Sequence, residues 1–559
     1  MKTKNIIRNF SLGLLLFTLS SCGDWLEITP LNDIVLENFW TDKTDVENVV
    51  ASCYTALLGS DVVSRMLIWG ELRSDNMVQG QGIPDAENEI LRANILPTNP
   101  YTGWTCFYNV INRCNTVLYY APMVAQKDPN FNESSLKAIE AEAKALRALC
   151  YFYLMRTFRD VPYASEPSVD DNQRYDMAPT PFDELLQILI QDLEGCKDYA
   201  IKAYGNKAYN TGRITRDAIH ALLADLYLWD QDYDNCIRYC DLVIQSKREQ
   251  YNELNKDKEE LASNEYPLIE AETPGSSVTG NSYNQVFGTG NSTESIFELY
   301  FLESPGRLTN TTVSRYYGSV NAQRGYLGAP DFIGRDRNGG SNVFLYGNEV
   351  FAKKDVRSRE YIGRSSGGVF PITKYAYRSV SNENGVYRST DFANWIIYRL
   401  SDVMLMKAEA LTNMISETAE EDTASSEAAQ AKILLSQSFE LVRAVYNRSN
   451  PEAGRDSLNY TNYSSKDNMN ALILAERQRE LMFEGKRWFD LVRMARREGN
   501  NTKLVDMVIS KYTENQSTIR TKMMSVDALY FPYNEEELKV NSYLKQNPVY
   551  ITETSSITR

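Results

Sequence analysis

The sequence predicts a mainly α protein: a scaffold of paired helices, like those of tetratricopeptide repeats, interrupted by one large region of loops and short strands. Three observations carry this. From Leu136 to Arg156, apolar residues fall at Ile139, Ala143, Leu146, Cys150 and Tyr153, the spacing of one helix face. From Arg213 to Gln245, Ala224, Tyr227 and Cys236 stand where a tetratricopeptide unit places small, aromatic and small residues, with Tyr233-Asp234 at the turn. Between about Tyr251 and Trp395 helical periodicity disappears, and Gly, Asn, Ser and Tyr dominate.

In chain order, Met1 to Ser21 reads as a targeting segment. Lys2, Lys4 and Arg8 form a basic head, and Phe10 to Leu19 is apolar but too short to span a bilayer as a helix. It ends in Leu19-Ser20-Ser21-Cys22, the form of a bacterial lipobox, so Cys22 is the expected lipidation site. The competing reading is an ordinary signal peptide followed by an incidental cysteine. Cleavage before Cys22 removes three cations and no acid, taking the net charge from −15 to −18. A chain this acidic repels nucleic-acid phosphates and anionic membrane surfaces, which argues against both as partners. No later stretch reaches the roughly 18 apolar residues of a spanning helix, so the expected chain is anchored to the membrane by lipid without crossing it.

Helices are expected from about Asp45 to Leu58, near Trp104 to Tyr120, over Leu136 to Arg156 (stopped by Val161-Pro162) and over Phe182 to Ala200. The Arg213–Gln245 pair follows. Later helices should cover Ile397 to Met414 and Ala428 to Asn447, with polar Glu417 to Glu427 as a loop between them. Small residues let paired helices approach closely, and stacked pairs bury faces that one pair could not.

The stretch Leu474 to Arg497 is helix-rich on both sides of Gly485. Glu476, Arg477, Glu480, Glu484 and Arg487 recur at three- and four-residue spacings. That pattern fits either a solvated charged face or a partly buried ion network locking two helices. Alternating Arg and Glu make a structural network far more readily than a reaction centre.

Candidate chemistry is sparse. His220 is the only histidine, so any zinc site built on histidine, or any Ser-His-Asp or Cys-His arrangement, must run through it. It sits in an Ala- and Leu-rich helical stretch and reads as structural. Besides Cys22 there are seven cysteines and no CxxC; Cys236 and Cys240 could share a helix face, but small buried thiols fit better. Gly288-Thr289-Gly290 lacks the third glycine of a dinucleotide site, and Asp336-Arg337-Asn338-Gly339 has the wrong spacing for a calcium loop. No metal, cofactor or catalytic residue is therefore expected. The irregular region is rich in aromatics: Tyr283, Phe287, Tyr316, Tyr317, Tyr326, Phe332, Phe344, Tyr346 and Tyr361. Each either packs in a core or lies against the apolar face of a sugar ring, and the sequence does not sort them. A stack that removes about 50–80 Å² of apolar surface from water contributes roughly 1–2 kcal/mol.

Glu476 to Arg493 resembles the C-terminal pattern E-R-x-R-E-L-x-F-E-G-x-R-W-x-D-L-x-R of the SusD/RagB family of outer-membrane nutrient-binding lipoproteins. Trp69 to Met77, the glycine-rich Gln79–Ile83 loop, the Trp104 helix, Asp355-Val356-Arg357 and the closing Phe531-Pro532 to Tyr550 segment resemble the same family. Tyr533 and Val549 stand where the closing motif usually has Pro and Gly. The resemblance implies a SusD-like fold, one domain over residues 22–559 after a signal peptide at 1–21. Within it, an N-terminal part runs to about 250, an irregular ligand-binding part covers about 251–395, and a C-terminal helical part covers about 396–559. It also implies capture of oligo- or polysaccharide and its delivery to a SusC-like TonB-dependent transporter, with glycan contacts from Asp75, Asn76, Tyr101 and Trp104. Tyr316 and Tyr326 join them from the loop half. Peptide or another nutrient as cargo, a secreted glycoside-active enzyme, and a pure interaction scaffold are the alternatives.

Overall fold

The computed structural model describes residues 39–168, 176–257, 265–271, 281–304, 308–365, 368–381, 384–416, 426–452 and 457–551. The targeting segment, Cys22 and the tether that follows lie outside the described residues, as do residues 417–425 of the expected polar loop.

The principal helices are α1 (Lys43–Leu57), α2 (Ser60–Leu67), α3 (Thr105–Lys127), α4 (Glu133–Phe158), α5 (Phe182–Glu194), α6 (Arg216–Asp230) and α7 (Tyr233–Leu254), then α8 (Leu400–Asn413), α9 (Ser426–Ser449), α10 (Lys466–Leu481) and α11 (Arg487–Glu498). Helix α1 starts in a capping box, where Asp42 accepts from the Thr44 and Asp45 amides and Asp45 reaches back to the Asp42 amide. Helix α3 packs against α1 and α4, and α8 packs against α7, α9 and α10. The mainly α class and the helical-pair scaffold are therefore as the periodicity predicts.

Helix α4 shows why. Its expected face (Ile139, Ala143, Leu146, Cys150, Tyr153) is buried, but so is every residue from Ala145 to Phe158, because neighbours close over it on several sides. In the α6–α7 pair, the chain turns at Gln231, which adopts φ 61°, and Asp232 caps α7 through the Asn235 amide. The turn falls just before the expected Tyr233-Asp234. Ala224 and Cys236 are fully buried, and Tyr227 stacks on Tyr239 at 5.8 Å with planes 8° apart. His220 is buried beside Tyr239, and burial lowers its pKa to about 4, so it is neutral near pH 7. Cys236 and Cys240 are free, buried thiols.

Expected helix ends are off at α3, which runs on to Lys127, and at α5, which stops at Glu194, and one expected helix start falls on a strand. Trp395–Arg399 is a strand, and helix begins only at Leu400. The Trp-Ile-Ile-Tyr run has β-branched and aromatic side chains that fit a pleated ladder. It pairs antiparallel with Ser295–Leu299, Leu299 opposite Trp395, and all ten residues are buried. In chain order the labelled strands are β1 (Val78–Gln79), β2 (Ser295–Leu299), β3 (Leu327–Ala329), β4 (Phe370–Pro371), β5 (Tyr377–Ser381), β6 (Asn384–Tyr387) and β7 (Trp395–Arg399). Strand β3 lies between β1 and β4, while β5 and β6 form a hairpin with Tyr377 opposite Tyr387. Between the strands run single-turn helices such as Thr311–Tyr316 and Val343–Tyr346.

The charges around Gly485 form a buried network. Glu480 receives Arg357 at 3.0 Å, Arg399 at 2.5 Å, and Arg448. Glu484 receives Arg399 and Lys374, at 2.6 and 2.7 Å. Arg357 also pairs with Glu476 and with Asp355 of its own turn, so the Asp355-Val356-Arg357 motif is scaffold. Burial alone would raise the Glu480 carboxyl, but Arg448, Arg399 and Arg357 hold it well below the usual carboxylate range. A π-helical turn at Ile68–Leu72 docks on the same place. Glu71 accepts the amides of Phe483, Lys486 and Arg487, and Asp75 grips Arg487 through two bonds of 2.9 and 2.8 Å. Two motifs some 400 residues apart in sequence are thus one joint.

Candidate functional site

The irregular half carries a cleft of about 460 Å³. The β5–β6 hairpin supplies one wall. Tyr377 and Tyr387 face each other edge-on with ring centroids 4.7 Å apart, and both are half-buried. Gly385 makes this possible, since a Cβ there would stand 2.2 Å from the Tyr377 ring. The Tyr387 hydroxyl donates to the Gln323 carbonyl at 2.9 Å, tying the hairpin to the Gln323–Tyr326 segment, which adds Gln323 and Arg324 to the lining. Burial pushes the Tyr387 phenol up, so it keeps its proton near neutral pH.

The opposite side comes from two tight turns. Asp336 accepts the main-chain amides of Asn338, Gly340 and Asn342 at 2.8 to 3.0 Å. These bonds fold the loop that places Ser341 and Asn342 at the cleft and hold the Asp336 carboxyl low against the upward push of burial. Asp336 is thus a loop organiser built from main-chain donors. Phe344 is half-buried at the cleft, with the Arg359 guanidinium 4.4 Å from its ring centroid. Arg364, exposed, completes a lining of aromatic faces interleaved with amide, hydroxyl and guanidinium groups. Such a surface can lay rings against apolar faces while bonding hydroxyls around their edges.

The six residues expected to touch ligand fall in three places. Asp75 and Asn76 are in the buried joint, 4% and 0% exposed. Asp75 is held by Arg487 and Gln478, and Asn76 by Glu71 and Gln478, so their polar atoms are already bonded within the chain. Tyr101, Tyr316 and Tyr326 come together. The Tyr101 and Tyr316 hydroxyls are 2.6 Å apart and both donate to Glu87, while Tyr326 meets Tyr316 edge-on at 6.0 Å. Tyr316 is fully buried; Tyr101 and Tyr326 are half-buried. Trp104 stands apart, packed among Tyr108, Phe158 and Tyr533 beside a separate depression of about 350 Å³.

Of the aromatics named from composition, Tyr283, Phe287, Tyr316, Tyr317 and Tyr361 are buried, whereas Tyr326, Phe332 and Phe344 are half-buried and Tyr346 is exposed. Sequence reasoning did not single out Tyr377, Tyr387, Arg324, Arg359 or Arg364. Asn384-Gly385 between two tyrosine-bearing runs hinted at a hairpin but would have misplaced its turn, because both residues lie within β6 with Ser381 opposite Asn384. The meeting of Arg324 with Arg359 and Arg364 had none, because it depends on contact between segments apart in sequence.

Residues 240–550 match the model described as the SusD family, and residues 24–228 match one described as "Starch-binding associating with outer membrane". SusD-like protein P38 of Formosa agariphila is 25% identical over 510 residues, covering 88% of this chain and 92% of that protein. SusD-like protein P2 of the same organism is 24% identical over 515 residues, covering 86% and 89%. Among solved structures, a SusD superfamily protein from Bacteroides vulgatus aligns with TM-score 0.64 at 19% identity, covering 91% of this chain and 100% of that one. Surface glycan-binding protein A from Bacteroides thetaiotaomicron, in complex with laminarihexaose, aligns with TM-score 0.61 at 19% identity over the same shares. At these identities the structural likenesses speak for the fold.

Proposed function

We propose that this chain, which belongs to the SusD family, is a surface lipoprotein that captures oligo- or polysaccharide without cleaving it. On this reading it then passes the saccharide to a SusC-like TonB-dependent transporter in the outer membrane. The observation that carries the reading is the Tyr377–Tyr387–Phe344 cleft, whose aromatic faces alternate with amide, hydroxyl and guanidinium groups. The outer-membrane wording of the matched N-terminal model and the laminarihexaose complex of a protein with this fold support it.

In this reading Tyr326, two residues beyond Arg324, extends the sugar-contacting surface from the cleft. Tyr316 and Tyr101 stand behind it, held by Glu87. Trp104 belongs to a second, smaller contact area, and Asp75 and Asn76 serve the joint beneath. With about 1–2 kcal/mol from each stacked ring, less the cost of association, affinity falls in the micromolar to millimolar range. Weak capture suits a protein that must release its cargo onward.

The test is migration of the purified protein through gels containing single polysaccharides, with reducing ends assayed in parallel. Retardation by at least one saccharide, weakened about 5- to 30-fold by Tyr387→Ala, is expected. Release of reducing ends that disappears on changing one carboxylate would make the protein an enzyme and overturn the reading.

A further inference from the structure

Three cations gather beside the Gly70–Gly485 joint, none of them paired with an acid. The Arg73 guanidinium, 3% exposed, lies 4.1 Å from the Trp488 ring centroid. It donates to the Leu529 carbonyl at 2.7 Å and to that of Ala528. Lys511, just beyond the helix Thr502–Ile509, donates to the Leu72 and Ser74 carbonyls on either side of Arg73, at 3.0 and 2.6 Å. Lys522, in the helix Gln516–Met523, donates to the Ala93 carbonyl at 3.1 Å and stands 4.7 Å from the Tyr550 ring centroid. Main-chain oxygens are their only hydrogen-bond partners among the described residues, and none of the three forms an ion pair with Asp or Glu there. We propose that Lys511 and Lys522, backed by Arg73, form a site for a small dianionic oxyanion: sulfate or a phosphate group.

Carbonyl dipoles carry only partial charge, so they orient these cations without neutralising them. An ammonium has three donors. Lys511 uses two on carbonyls and Lys522 one, which leaves donors for an incoming oxygen. Both lysines are half-buried, whereas Arg73 is closed off, so the lysines would touch the ion and Arg73 would add its field. The acids that act on Lys511 are Asp75 and Glu71, and both are already engaged in the joint. Asp75 holds Arg487 and Gln478, while Glu71 accepts three main-chain amides and Asn76. Burial lowers the Lys511 ammonium to about 7, with Arg73 adding to the fall and Asp75 and Glu71 opposing it. Burial and then Arg73 lower Lys522 to about 8. Tyr512 and Tyr550 face the two ammonium groups with their rings. An oxyanion favours the charged lysines, so its binding should weaken as pH rises through 7 to 8. The site is separate from the Tyr377–Tyr387 cleft, and saccharide capture stands or falls without it.

The test is equilibrium dialysis of the full chain against radiolabelled sulfate, which does not titrate in this range, in about 0.1 M NaCl. One saturable sulfate per chain is expected at pH 6.5, held about fivefold more weakly at pH 8.5 and displaced by methyl phosphate. Lys511→Met and Lys522→Met should each weaken it about tenfold. Lys522→Met removes a single carbonyl contact and should keep the circular dichroism of the native chain, so it carries the test even where Lys511→Met fails to fold. Absence of saturable sulfate would overturn the site, as would sulfate held equally well by Lys522→Met. Displacement by acetate as readily as by methyl phosphate would overturn the dianion assignment.

Discussion

Glu480 is the acid on which three guanidinium groups converge, and it is fully buried. A buried pair is not strong evidence of net stabilisation, but removing one partner leaves charge without compensation, at a cost of about 3–5 kcal/mol. Glu480→Gln keeps the shape and deletes the charge, so denaturant unfolding should show a loss of about that size. A change below ~1 kcal/mol would mean the network is slack. Glu409, gripped by Arg493 and Arg497, gives a pH test. Burial works against its ionised form, yet Arg493 and Arg497 hold its pKa at about 2, below the ordinary 4.5. A depressed folded pKa means stability that is fully present above pH 4.5 and lost as pH falls toward 2. The melting temperature should therefore drop more steeply between pH 5 and 3 in the native protein than in Glu409→Gln; parallel curves would sink the assignment. At this scale the sequence was legible in part. The charged residues from Glu476 to Arg487 stood out by their spacing, and a buried network was one of two readings. Their partners were hidden, because Arg357, Arg399 and Arg448 arrive from elsewhere in the chain, and within α10 only Arg479–Glu476 follows helical spacing.

Between elements, the joint depends on backbone meeting backbone. A Cβ on Gly70 would stand 1.8 Å from the Gly485 carbonyl oxygen, and Gly485 itself sits at φ 72° with Met66 O 2.7 Å from its would-be Cβ. Neither contact can be relieved by turning a side chain. Gly70→Ala must push the α10–α11 turn away from the π-helical turn, loosening the Glu71 bonds to Phe483, Lys486 and Arg487. A loss of about 2–5 kcal/mol is expected, because main-chain strain and unsatisfied buried amides add. Gly82→Ala makes the control: its φ is 67° but nothing stands within 4 Å, so it should cost only about 1 kcal/mol. Gly70 lies in helical backbone without a left-handed φ, so contact alone sets its cost, and a loss there no larger than at Gly82 would refute the close approach to Gly485. Helical periodicity located the long helices well because a buried face repeats locally. It failed at Ile397–Arg399, where an apolar run fits strand and helix alike and pairing with β2 decides.

At the scale of the molecule, the proposed surface-lipoprotein reading must account for how an acidic protein would stay at a membrane. No described helix is long and apolar enough to cross one. If the targeting segment is removed before Cys22 the net charge is −18, and electrostatics would push the protein from an anionic surface. In the proposed reading attachment falls to acyl chains on Cys22, at about 0.8 kcal/mol per buried methylene, where one chain binds marginally and several hold almost permanently. Cys22→Ala should move the protein from the envelope pellet to the soluble fraction in detergent-free buffer. Because Cys22 and the cleft belong to separate parts of the chain, the soluble variant should still be retarded by the same saccharides. Continued sedimentation would refute the lipid anchor and point to the transporter as the holdfast; a second pelleting assay in cells lacking the transporter would then lose the protein. Lost saccharide retention in a soluble, folded variant would instead show that capture needs the anchored end.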